Sequence, residues 1–268
     1  MDLQRIANHL LLSDMNYISS DKALLPELAG KRIFDSPIFG FGDPNDQYLA
    51  ELSSEDLPLI LPKEWFPSVK TIISVFFPYS SELKRNNRIK KDRISYEWLH
   101  VRIDGQALIN MFLKELKEEI EKEGYRSMIP FQDPRYVSSR FKDSPDDFPK
   151  YSSNWSERHV AYACGLGTFS LTRAVITEKG AAGRFGSILT TMETEFTEHH
   201  KGLHDNCTMC GACIKKCPVS AISLSGKDNS KCAEHLRNVL EMHDPYYGCS
   251  ECQVGVPCEN KIPKRGRS

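Results

Sequence analysis

Eight of the nine cysteines in this 268-residue chain fall between Cys207 and Cys258, and only Cys164 stands outside. No other feature limits the fold so tightly. Residues from about 203 to 262 carry little apolar mass and several Gly and Pro. Such a stretch cannot build a core of its own, so its stability has to come from bonds through sulfur, either disulfides or metal ligation. The chain opens Met1-Asp2-Leu3-Gln4-Arg5-Ile6, like a helix of the mature fold rather than a secretory or twin-arginine leader. That opening points to a reducing cytoplasm and selects metal over disulfides.

The spacing narrows the metal. Cys207-x2-Cys210-x2-Cys213-x3-Cys217-Pro218 is the run found in bacterial 4Fe–4S ferredoxins. Three thiolates two residues apart can wrap one iron–sulfur cube, and the small Gly211 and Ala212 let the backbone come close. The fourth thiolate points away toward another cluster, and Pro218 ends any helix. A second set is then required, and Cys232, Cys249-x2-Cys252 and Cys258 supply it. Crossed ligation, as in two-cluster ferredoxins, assigns Cys207, Cys210, Cys213 and Cys258 to cluster A and Cys217, Cys232, Cys249 and Cys252 to cluster B. The step from Cys252 to Cys258 is x5, longer than the usual x3. A pair of tetrahedral zinc sites also uses Cys-x2-Cys, but four cysteines so closely packed before a proline disfavour zinc, and a 2Fe–2S reading is weaker still.

Two clusters need only about 60 residues, in the manner of small ferredoxins, so the 200 residues before them require their own account. Basic and acidic residues nearly cancel, 35 against 36, with 40% hydrophobic and 26% charged residues. This balance excludes a disordered chain, and no apolar run approaches the ~20 residues of a membrane span. It gives no support to a dedicated nucleic-acid binder, although Lys261 to Arg267 is locally basic. We expect residues 1–202 to form a mixed α and β domain that either holds another redox centre or docks a partner, and 203–268 a small two-cluster domain with a short basic tail, divided at Glu198-His199-His200-Lys201-Gly202. Thr71–Phe77 reads as a buried strand closed by Pro78. A helix is expected from about Ser95 to Glu123, with Leu99, Ile103, Ala107, Met111, Leu113 and Leu116 on its apolar face and Gly124 as its stop. A second helix is expected from near Ser156 to Gly165, capped by Ser153 or Asn154. Strands are expected at Ala174–Thr177 and Ser187–Thr191, and residues 131–154 form a long loop.

The run Ser156-Glu157-Arg158-His159-Val160-Ala161-Tyr162-Ala163-Cys164-Gly165-Leu166-Gly167-Thr168-Phe169 is followed by Ile176-Thr177, Gly180, Gly183-Arg184-Phe185-Gly186-Ser187 and Leu189-Thr190. This pattern resembles the segment before the cluster module in epoxyqueuosine reductases and corrinoid reductive dehalogenases, and the eight-cysteine module resembles theirs too. The likeness covers about residues 95–260. It implies an α+β architecture in which a nitroreductase-like α/β domain holding cobalamin precedes a two-cluster ferredoxin-like domain. Carried over, it makes Arg158, His159, Gly165, Leu166, Gly167, Thr168, Phe169, Ser170, Arg184, Phe185, Thr190 and Thr191 corrinoid contacts. Gly165 and Gly167 would let the backbone approach the flat ring with no Cβ in the way. It implies Tyr151 as the first candidate for proton donor, with Asp133, Asp143 and Glu157 as alternatives.

The implied activity is a cytoplasmic, oxygen-sensitive reductase fed by ferredoxin or flavodoxin. Its two 4Fe–4S clusters would pass electrons to a corrinoid that reduces a small or nucleoside-like substrate. Epoxide-to-alkene reduction on queuosine-modified tRNA is the nearest family activity. The extra C-terminal helical sequence of the tRNA enzymes has no counterpart after Cys258, which weakens a tRNA partner. The competing expectation is an electron-transfer protein whose first domain docks a partner or binds flavin. Gly165-x-Gly167-x-x-Ser170 follows a helix rather than a strand and so is no dinucleotide site. His199, His200 and His204 read as a solvated linker, Cys164 as a core residue, and Trp65, Trp98 and Trp155 as packing.

Overall fold

The computed structural model describes residues 3–53, 57–89, 94–139 and 148–264. Asp143 and the tail residues Arg265–Arg267 lie outside them. In chain order the elements are α1 (Leu3–Leu12), β1 (Ile38–Gly42), α2 (Gln47–Leu52), α3 (Pro62–Trp65), β2 (Thr71–Pro78), α4 (Ser81–Ile89), α5 (Tyr96–Lys122), β3 (Ser127–Met128), α6 (Glu157–Ala163), β4 (Gly167–Phe169), β5 (Val175–Thr177), β6 (Gly183–Thr190), α7 (Ala212–Lys216), β7 (Ile222–Ser223), β8 (Gly226–Lys227) and α8 (Asn229–His243).

Four strands form one antiparallel sheet in the order β1-β2-β6-β3. β2 is the spine, with all eight residues buried, as the apolar residues on both sides of Ser74 predict. The two-residue side-chain period of a strand distributes them. Ile73, Val75 and Phe77 join Val101, Leu108 and Phe112 of α5 on one side. On the other, Ile72 joins Val160, Ala163 and Cys164, and Phe76 joins Ala161. The sheet is thus sandwiched between α5 and α6.

Ser95 caps α5, its Oγ accepting from Trp98 N at 3.2 Å, and Gly124 ends it at φ +88°. The helix buries a different stripe from the one expected. Val101, Leu108, Ile109, Phe112 and Ile120 are buried with Leu99, Leu113 and Leu116, whereas Ile103, Ala107 and Met111 are not. The contact at Gly105 is part of the reason: a Cβ there would stand 2.9 Å from Phe34 Cζ, so the bulky Phe34 sets which face turns inward. The start of α6 is also corrected. Ser156, rather than Ser153 or Asn154, holds the N-cap position; Asn154 instead ties the preceding loop, its Oδ1 accepting from Val137 N at 2.9 Å. The expected strands appear as β5 and the longer β6. No helix among the described residues is long and apolar enough to cross a membrane.

Candidate functional site

The cysteine-rich segment is fastened to the β4–β5 hairpin. Asn206 N donates to Thr168 Oγ1 and Asn206 Nδ2 to Ile176 O, both at 2.8 Å. From there Gly211 turns at φ +72° into α7. The far end returns to the same hairpin, where Ala181 N donates to Cys258 O at 2.8 Å. Cys207, Cys210, Cys213 and Cys258 therefore line one cavity of about 350 Å³, together with Ser170 and Ile176. Cys207 and Cys258 also pack on the apolar patch of Ala174, Ile176 and Ala181. Next to Cys258, Arg88 clamps the buried Glu259 with Nε to Oε2 at 2.8 Å and Nη2 to Oε1 at 2.7 Å.

The thiols sort electrostatically into two sets. Burial pushes Cys258 up to about 12, and Cys207, Cys213 and Cys210 add to the shift. Burial likewise pushes Cys252 up to about 12, against Lys227 but aided by Cys249, Cys232 and Cys217. None of the nine cysteines is in a disulfide. Among the described residues, no three His, Cys, Asp or Glu side chains converge as a single metal ion demands. The four thiols line the first cavity together, the number of ligands that one iron–sulfur cube takes.

A second chemical group lies on α6. Both Glu157 carboxylate oxygens are buried without a hydrogen bond among the described residues. Burial lifts its pKa to about 7, tempered by the nearby Ser187 and Trp155. Trp155 Nε1 donates to Ser187 Oγ at 3.0 Å beside the acid. His159 bonds Tyr48 Oη through Nδ1 at 2.7 Å. Burial holds His159 down to about 4, and Arg158 and Arg173 push the same way. His159, Trp155, Ser156 and Leu49 help line a second cavity of about 230 Å³.

Tyr151 stands apart in a left-handed turn at φ 62° and has no hydrogen-bond or ring partner among the described residues. Asp133 is closed by Arg135, Nε to Oδ1 at 2.8 Å. His199 and His204 are not merely solvated: His199 Nε2 bonds Asp46 Oδ2 at 2.7 Å, and His204 Nδ1 bonds Phe169 O at 2.9 Å. Cys164 is buried in the core, as expected.

Several of the expected corrinoid contacts are engaged with the chain itself. The room left by the missing side chains of Gly165 and Gly167 is filled by the chain itself. A Cβ on Gly165 would stand 2.6 Å from Glu198 O, and one on Gly167 would stand 2.2 Å from Ile176 O. Thr190 is fully buried, accepting from Met192 N at 3.0 Å and donating to Arg126 O at 3.2 Å. Thr191 accepts from Arg126 N at 2.9 Å. Thr168 anchors the cysteine loop and Ser170 lines the thiol cavity, while Leu166 packs on Phe76 and Ala161. Phe169 lies 5.0 Å from the His159 ring and Phe185 lies 4.7 Å from the Phe76 ring. Arg158 and Arg184 do share surroundings, with Arg102 close to both, a partner the sequence did not signal.

Comparison with known proteins accords with this geometry. Residues 203–223 match the 4Fe-4S binding domain family. The epoxyqueuosine reductase of Listeria monocytogenes is 25% identical over 218 residues, covering 74% of this chain and 50% of the relative. That of Francisella cf. novicida is 31% identical over 120 residues, covering 40% of this chain and 33% of the relative. The chain thus spans between a third and a half of these relatives. Among solved structures, epoxyqueuosine reductase from Streptococcus thermophilus aligns with a TM-score of 0.54 at 20% identity, over 85% of this chain and 64% of that one. A catabolic reductive dehalogenase aligns with a TM-score of 0.52 at 14% identity, over 84% and 30%. By sequence the chain is a relative of the epoxyqueuosine reductases, and by fold it is like both that reductase and the reductive dehalogenase.

Proposed function

We propose that this chain is an iron–sulfur oxidoreductase of the epoxyqueuosine-reductase kind. It takes electrons from a ferredoxin or flavodoxin through two 4Fe–4S clusters to an acceptor in its α/β part, and Glu157 supplies the proton. The observation that carries this reading is the sorting of eight thiols into two sets, Cys207, Cys210, Cys213 and Cys258 around one cavity and Cys217, Cys232 and Cys249 around Cys252. The Cys252 and Cys258 thiols, which burial holds neutral, become ligands when a cation displaces their protons. The first set would hold cluster A and the second cluster B, and each cluster supplies one low-potential electron at a time. Reducing an epoxide to an alkene consumes two electrons and two protons and releases water. An acid near neutrality is therefore part of the equipment, and Glu157 at about 7 suits general-acid work. Tyr151 has no comparable setting.

Cobalamin is the acceptor that the likeness to these reductases implies, and bound there it would supply a cobalt centre. Because Gly165, Gly167 and Thr190 are committed to packing, the residues do not fit a ring in the expected way, and the electron path is followed no further than the clusters. The same packing favours a second reading, in which the chain transfers electrons with no substrate of its own and its α/β part docks a partner or binds flavin. Under the first reading the substrate is small or nucleoside-like, with tRNA the partner suggested by the relatives' name.

Anaerobic purification with iron, sulfide and cobalt quantified after incubation with hydroxocobalamin separates these outcomes. Iron near eight per chain, the content of two cubes, together with corrin absorbance retained through gel filtration, supports the reductase. Iron without retained corrin favours the carrier. Zinc in place of iron overturns both.

A further inference from the structure

Arginines gather where the α/β part meets the cysteine-rich part. Arg102 comes from α5, Arg158 from α6, Arg173 from the turn between β4 and β5, and Arg184 from β6. Four other arginines are answered by acids, Arg5 by Glu119, Arg32 by Asp35, Arg88 by Glu259 and Arg135 by Asp133, whereas Arg126 bonds Ser68 Oγ and lies over the Phe66 ring. Among the described residues none of the four at the seam has a carboxylate partner. Their hydrogen bonds go to neutral groups. Arg102 Nη2 donates to Tyr247 Oη at 3.2 Å and its guanidinium lies 4.8 Å over that ring. Arg158 Nη1 donates to Arg173 O at 2.8 Å, and Arg184 Nη2 donates to Gln106 Oε1. The Nε atoms of Arg102 and Arg184 are shut from solvent with no acceptor.

Arg102, Arg158 and Arg184 are half-buried and Arg173 is exposed; like charges gathered at a seam with only the Cys232 thiol beside Arg158 as a counter-group oppose folding, so an arrangement of this kind persists where function requires it. The mutual strain is visible: burial lowers the proton affinity of Arg158 and Arg184, and Arg102 lowers both further. Arg173 is held at φ 60°, a conformation costly for a residue with a Cβ. Planar guanidinium forks match tetrahedral oxyanions bidentately. A terminal phosphate, carrying nearly two charges near pH 7, answers four cations and two idle donors better than a single carboxylate does.

We infer that Arg102, Arg158, Arg173 and Arg184 form a binding site for the terminal phosphate of a small molecule, at the seam beside the Cys232 segment. The site is independent of the redox reading, because binding is measured without an electron donor. The test titrates the anaerobically prepared full chain with AMP, adenosine and an oligonucleotide lacking terminal phosphates, at constant ionic strength, by calorimetry and thermal shift. The expected result is saturable AMP binding with adenosine at least ~10-fold weaker. Arg102→Gln and Arg184→Gln should each weaken AMP by ~10-fold or more, the scale of one charge-assisted hydrogen bond. Both variants should raise Tm without phosphate, since each relieves repulsion, whereas a merely structural arginine would lower it. Arg126→Gln, whose side chain bonds Ser68 Oγ at 2.8 Å, serves as the control. Equal affinity for AMP and adenosine, measured on the unaltered chain, overturns the site even if both variants fail to fold. Tighter binding of the oligonucleotide than of AMP overturns the assignment to a terminal phosphate.

Discussion

Replacing Glu157 by Gln should stabilise the protein at alkaline pH while weakening its chemistry. The folded carboxyl titrates at about 7 against an ordinary value of 4.5, so between those values the fold holds a proton that the unfolded chain has released. Stability then falls as pH rises, by roughly 1.4 kcal/mol per pH unit. The contribution is intact below about 4.5 and fully lost above about 7, a total of about 3 kcal/mol. Gln is nearly isosteric and does not titrate. The difference between Glu157→Gln and the unaltered chain should therefore grow by about 2 to 3 kcal/mol between pH 5 and pH 8.5. With urea slopes of about 1–3 kcal/mol per molar, that is a midpoint shift near 1 M or more, read by tryptophan fluorescence and cluster absorbance on the same anaerobic sample. Other groups titrate over this range, which is why the difference between the two proteins is the quantity to follow. A difference that stays flat with pH would refute a carboxyl kept neutral by burial. A stabilised variant that keeps full reductase turnover would remove Glu157 as proton donor and leave the pH effect standing.

Three further outcomes follow from the same geometry. Cys213→Ser should lose about half the iron, and Cys252→Ser the other half, because the two thiols belong to different sets; full iron retention in either variant contradicts the partition. Gly167→Ala should destabilise the chain by several kcal/mol with no cofactor present, since its Cβ would stand 2.2 Å from Ile176 O. A variant with unchanged urea midpoint that fails only to retain a corrin would restore the ring-bed role for this glycine. Arg88→Met should cost roughly 2–3 kcal/mol by stranding the buried Glu259, discounted because the Arg88 side chain is 41% exposed, and limited proteolysis should cut first near Cys258.

The parts of this molecule that the sequence disclosed are those whose chemistry is written in spacing. Cluster ligands are separated by fixed numbers of residues because a short loop must wrap a rigid cube, so Cys207 through Cys258 could be sorted before any coordinate was known. The apolar run of β2 likewise has only one place to go, the centre of a sheet covered on both faces. Gly165 and Gly167 are ambiguous in the sequence because a glycine records the absence of a side chain and not the identity of what occupies the room: a macrocycle and the carbonyls of Glu198 and Ile176 leave the same mark. β1 was missed for a related reason, since Ile38-Phe39-Gly40-Phe41-Gly42 is a strand only by virtue of its pairing with β2 and the close seating of Cys164 and Leu166 over its glycines. The arginine site is the extreme case. Arg102, Arg158, Arg173 and Arg184 lie on four elements and share no period; the family pattern marks only Arg158 and Arg184, and Arg102 and Arg173 alone read as surface charges in a chain whose net charge is −1. Only the fold, by stacking α5, α6 and the β4–β5 turn against the N-terminal end of β6, converts four scattered cations into a concentration of charge that needs an anion.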